Sequence, residues 1–208
     1  MEEIINLKPG ALSFLAVFSV AILFYLYYFT SKQKVILNRI VRPAFPSLSD
    51  GVLEFISEKL GGIFFTGIIP AILFLGVLKI PASRAGLQMG LTFDFRYLII
   101  ILVMVTCLLS FLFSKKPGVQ ATSADLKIRN WYPGHIFLYS AAWIIYIFGY
   151  ELLFRGILWF LFFDVFGFWP AMLINLLLYS AVHISKGIFM TLGALPTGII
   201  LCLLSYLT

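Results

Sequence analysis

The sequence predicts an all-α fold, a polytopic transmembrane helical bundle of about six to seven membrane helices with one short amphipathic helix at the interface. Three observations carry this. Hydrophobic residues fill 62% of the 208 positions and charged residues 12%, about half the charged share of a soluble domain. Apolar runs recur at lengths near the roughly twenty residues that cross a hydrocarbon core. The basic residues fall in short clusters beside those runs, where they contact headgroups and bias orientation.

The first run, Ala11 to Phe29, follows an acidic flank (Glu2, Glu3) and lacks a small-residue cleavage site. It ends in Tyr27-Tyr28-Phe29, an interfacial aromatic anchor, and reads as a retained membrane helix rather than a secretion signal. Pro43 to Lys59 is a segment of another kind. Ser49 or Asp50 can cap a short helix with Leu53, Ile56 and Leu60 on one face and Glu54 and Glu58 turned away, placing it along the membrane surface. A loop with one helical turn is the plainer alternative. Gly61 to Ile80 and Tyr97 to Ser114 are the next spans. The polar stretch Lys115 to Gly134 then separates an N-terminal set, residues 1–134, from a core at 135–208, within one membrane domain.

Ile136 to Phe166 is 31 residues, about 46 Å as one helix. That exceeds the bilayer core and implies strong tilt, a break near Gly149, or two helices. Gly167 marks a turn before Trp169 and Pro170, and a helix from Ala171 to His183 follows. The last span, about Gly187 to Leu207, carries Pro196, which kinks it unless neighbours satisfy the freed carbonyl.

The net charge of +6 does not indicate nucleic acid, because the cations lie where lipid headgroups are met; membrane lipid is the expected partner. Lysine and arginine number one before the first span, five after it, three after the second and four after the third, an alternation that favours an outside amino terminus. Cys107 and Cys202 lie in apolar runs and read as small hydrophobes, not as a disulfide or a thiolate metal site. A transporter fits poorly, since the spans show no paired repeat and one compact ionisable cluster.

An ionisable side chain in mid-membrane costs about 2.5–3.5 kcal/mol on insertion scales, so each is a functional hypothesis by default. Glu151 and Arg155 are four apart, on one helix face with the acid toward the amino end, the better order for pairing. The planar fork of Arg155 can hold a carboxylate in a dry environment. A purely architectural ion pair accounts for this spacing equally well. His183 ends an apolar run, where a hydrogen-bonded interfacial histidine is the bland alternative. His135 reads as interfacial, and Asp164 as a loop or helix-end residue, thirteen positions beyond Glu151.

Glu151-Leu152-Leu153-Phe154-Arg155-Gly156, with Tyr179-Ser180-Ala181-Val182-His183 ending 28 residues after Arg155, resembles the core of the CAAX protease and bacteriocin-processing (CPBP, or Abi) family of intramembrane endopeptidases. The resemblance covers roughly residues 136–208. It implies catalytic roles for Glu151, Arg155 and His183, a water activated by glutamate and histidine in a membrane-embedded cavity, and a membrane-associated peptide or protein substrate. A multi-pass location in a bacterial plasma membrane is expected with it. A divalent metal is the one cofactor it admits, with His183 and Glu151 as ligands.

Two departures stand out. The family's first motif begins with two adjacent glutamates, and the first of these, its favoured general base, is Tyr150 here. Tyrosine holds its proton at neutral pH and is a poor base. The family also carries a later histidine motif on another helix, and no histidine follows His183. The chain ends in Leu203-Leu204-Ser205-Tyr206-Leu207-Thr208, the ending expected of a product lacking its last helix; truncation accounts for the missing histidine but not for Tyr150. Two functions are therefore in view: peptide-bond hydrolysis of the CAAX-protease type, and a non-catalytic membrane protein of that fold that binds a peptide, protein or lipid partner.

Overall fold

A computed structural model describes residues 9–85, 132–184 and 187–207, with scattered positions between 87 and 112. Among these residues the chain is helical, and no strand occurs. We name six helices: α1 (Pro9–Lys32), α2 (35–44), α3 (Asp50–Val77), α4 (Pro133–Phe166), α5 (Phe168–Ala181) and α6 (Ile188–Leu207). Three of them, α1, α3 and α4, are long and apolar enough to cross a membrane, and α5 and α6 are shorter apolar helices. The span expected at Tyr97 to Ser114 and the polar stretch from Lys115 fall largely outside the described residues.

The outer surface is apolar. On α1, Phe14 is 76% exposed and Phe18 70%, while Ala16 and Val20 turn inward. Rings left this open would be untenable in water and are ordinary against lipid. The chain is an integral membrane protein, an all-α bundle.

Helix α4 is the axis on which the others pack. Helix α1 runs antiparallel to it: the Ser13 hydroxyl donates to the Leu161 carbonyl at 2.9 Å, and Phe24 meets Tyr150 and Phe154. Helix α3 runs parallel to it. Phe55 stacks on Tyr139 with centroids 5.0 Å apart, Lys59 lies over Trp143, and Gly62 lies under Tyr146. One turn further the two backbones touch, since a Cβ on Gly67 would lie 3.0 Å from the Gly149 Cα. A side chain at either position would push the two backbones apart by a few tenths of an ångström.

Gly167, at φ 74°, reverses the chain between α4 and α5, so that α5 descends antiparallel along α4. Pro170 falls in the first turn of α5, where its missing N–H is no loss. Helix α6 then packs on α5 through Ala194, Gly198 and Cys202. Beside Pro196, the Thr197 hydroxyl donates to the Gly193 carbonyl at 3.0 Å.

Three expectations need correction. The segment read as a surface helix is not separate, because the helix beginning at Asp50 continues without interruption to Val77 and forms the start of the second span. Its inward face is Val52, Leu53, Phe55 and Lys59, whereas Leu60 is exposed. The apolar periodicity was too short to distinguish a surface helix from the first turns of a long one. The short separate helix is instead α2, immediately upstream. Of the three options for α4, strong tilt, a break near Gly149 or two helices, the last two do not occur: the helix is continuous and carries a π-helical stretch, Leu152–Leu158. Finally, α5 begins at Phe168 and ends at Ala181, leaving His183 just past its end.

Candidate functional site

The π-helical stretch of α4 carries most of the first motif. A π turn widens the helix and shifts its register, and such turns concentrate at functional sites. Here every residue from Leu153 to Leu158 is buried, so the widened turn lies inside the bundle. Arg155 is 6% exposed. Its Nε is 3.5 Å from Glu151 Oε2, an ion pair by distance but too long for a hydrogen bond. The Arg155 guanidinium also lies over the Tyr179 ring, 4.1 Å from its centroid, a favourable cation–π position.

Asn175 completes this arrangement, and the sequence reading passed over it. It is fully buried. Its Oδ1 accepts from Arg155 Nη1 at 3.1 Å and from the Cys202 thiol at 3.6 Å. Its Nδ2 donates to the Phe154 carbonyl at 2.6 Å. One amide thus joins α4, α5 and α6 and fixes the guanidinium. The signal was present, since an asparagine inside Leu173-Ile174-Asn175-Leu176-Leu177 is costly in lipid unless it has partners. Attention to ionisable groups alone missed it.

Tyr150 faces another way. Its ring is 8% exposed and packs against Phe154 at 4.7 Å, Tyr179 at 5.6 Å and His183 at 6.3 Å, the last edge to face. The position that meets the histidine is therefore 150, not 151. His183 Nδ1 is 2.7 Å from the Tyr179 carbonyl. A carbonyl only accepts, so Nδ1 is the donor in this contact. His135, in the first turn of α4, and Asp164, near its end, lie outside this cluster.

A cavity of about 340 Å³ opens beside the ion pair. Glu151, Arg155, Ser83, Phe160, Ser205 and Tyr206 are among its lining residues; Tyr150 and His183 are not. Four buried polar groups in this region have atoms without a hydrogen-bond partner among the described residues: the Tyr150 hydroxyl, Glu151 Oε2, the Arg155 Nε and Nη2, and Ser180 Oγ. Buried polar atoms left unpaired are costly, and they concentrate where a ligand or water is received.

The three residues singled out from sequence are thus brought into one region but not onto one surface. Glu151 and Arg155 open on the cavity, and His183 is held by the Tyr150 and Tyr179 rings. A divalent metal is not well served by this set. Among the described residues there is no group of three or more His, Cys, Asp or Glu that could hold one, and the two proposed ligands do not share the cavity.

Against known proteins, residues 132–208 match the family model described as type II CAAX prenyl endopeptidase Rce1-like. No curated protein matches the chain, and no solved structure does.

Proposed function

We infer, from the match of residues 132–208 to the model of the Rce1-like type II CAAX prenyl endopeptidases, that this chain takes a membrane-associated peptide or protein segment into the Glu151–Arg155 cavity and holds it there without cleaving it. The protein acts, in this reading, as a multi-pass member of a bacterial plasma membrane. The observation that carries it is the placement of Tyr150. The residue where the family has its favoured base packs on His183 as an apolar ring, while the remaining acid turns to Arg155. Binding capacity is kept in the buried atoms of Glu151 and Arg155 that make no hydrogen bond among the described residues, and the means of activating water beside the histidine is reduced.

The test is a pair of measurements on purified protein in vesicles. A photoreactive group at Phe160 is expected to capture a membrane peptide, and the same peptide is expected to remain intact. Cleavage by the native chain that is lost in both Glu151→Gln and His183→Ala would overturn this reading.

That outcome would establish the second reading, hydrolysis, which is favoured by the retention of Glu151, Arg155 and His183 in family order. There, Glu151 and His183 would polarise a water, Arg155 would fix the carboxylate, and the water oxygen would add to the peptide carbonyl as its proton passed to the base and then to the leaving amine.

A further inference from the structure

Helix α2 leaves the end of α1 through Lys34, whose backbone is left-handed at φ 50°. Leu37 and Val41 are buried against Leu53, which pins α2 to the start of α3 and fixes what it shows outward. That outward surface is basic and apolar together. Lys32, Lys34, Arg39 and Arg42 are all exposed, and beside them Ile40 is 59% exposed and Phe45 48%.

Two of the four cations are answered from α3: Lys34 pairs with Glu54 at 2.6 Å, and Arg42 with Asp50 at 3.0 Å. Lys32 and Arg39 have no ion pair among the described residues. The level of this surface is set by α1, whose last turns carry the exposed rings of Tyr25, Tyr28 and Phe29. Aromatic rings of this kind collect at the headgroup boundary, so the cations that follow them on the chain stand within reach of lipid phosphates, with the exposed Ile40 and Phe45 side chains beside them.

We propose that α2 and the end of α1 form a binding surface for acidic phospholipid, with Lys32 and Arg39 on the headgroup and Ile40 and Phe45 on the chains. The chemistry is charge complementarity at short range: each cation near an anionic leaflet contributes on the order of 1 kcal/mol, roughly fivefold in affinity. This surface is separate from the Glu151–Arg155 cavity and does not depend on whether peptide is held or cleaved there.

The experiment is native mass spectrometry of the full chain, purified in neutral detergent and offered equal amounts of phosphatidylglycerol and phosphatidylcholine. The native chain is expected to retain the acidic lipid in preference to the zwitterionic one. Lys32→Gln with Arg39→Gln should lower that preference by roughly fivefold for each charge removed. Lys32→Arg with Arg39→Lys should keep it, as should Lys79→Gln, which removes an exposed cation after the other end of α3. Equal retention of both lipids by the native chain overturns the proposal. So does a preference that survives the double glutamine change, which would place the acidic lipid elsewhere on the chain, or one lost in the charge-preserving pair.

Discussion

Arg155 and Asn175, twenty positions apart on adjacent helices, meet through a 3.1 Å hydrogen bond from Nη1 to Oδ1 inside the bundle. The guanidinium that opens on the cavity is therefore held by an amide from α5, and only loosely by Glu151 at 3.5 Å. Changing Asn175→Ala removes three bonds at once and leaves a buried guanidinium donor and the Phe154 carbonyl short of a partner. We expect a loss of about 1–3 kcal/mol, read as a lower unfolding midpoint in detergent. Cys202→Ala, which removes only the weak thiol contact, should cost clearly less.

Tyr150→Phe is expected to leave stability unchanged or raise it by up to about 1 kcal/mol, because the hydroxyl it deletes is buried without a hydrogen-bond partner among the described residues and carries a desolvation cost. Urea or thermal unfolding of the two proteins side by side checks this. A clear loss of stability would reveal a partner for that hydroxyl.

Gly149→Val should push α3 and α4 apart, since its Cβ would lie 3.1 Å from the Gly67 Cα, backbone that cannot rotate aside. Overpacking of this kind costs about 1–3 kcal/mol. Gly134→Ala, on the same helix with nothing near its added Cβ, is the matched control and should be near neutral in the same unfolding measurement.

Lys59→Met tests a cation enclosed by rings. Lys59 is 4% exposed, with Nζ 3.7 Å from the Trp143 ring centroid, 5.1 Å from Tyr146 and 5.4 Å from Phe55. Removing the charge while keeping the stem gives up these ring contacts and the 3.1 Å pair with Glu58, and is expected to cost about 1–2 kcal/mol and to alter the fluorescence of Trp143. Unchanged emission and stability would show that the stem, and not the ammonium, makes the contact.

Much of the bundle was legible in the residues because lipid imposes a simple rule. A backbone in hydrocarbon must satisfy its own polar groups, so long apolar runs are helices, and ionisable groups within them stand out by their cost. That reasoning located Glu151, Arg155 and His183. It misread Asp50 to Lys59 because a helix entering the membrane and one lying on it share the same short pattern. It also counted Lys59 among the connecting cations, since nothing local shows that Trp143 will cover it.

By itself, then, the sequence determined an all-α membrane protein, the positions of its principal spans and the region of its polar centre, all of which follow from hydropathy and spacing along one chain. Only the tertiary structure decided which groups face one another: that α3 lies parallel to α4 through Gly67 and Gly149, that Asn175 holds Arg155, and that Tyr150 rather than Glu151 meets His183. The reason is physical. Facing depends on helix register, and the π-helical turn at Leu152–Leu158 alters that register through packing between helices, which spacing along a single helix does not encode.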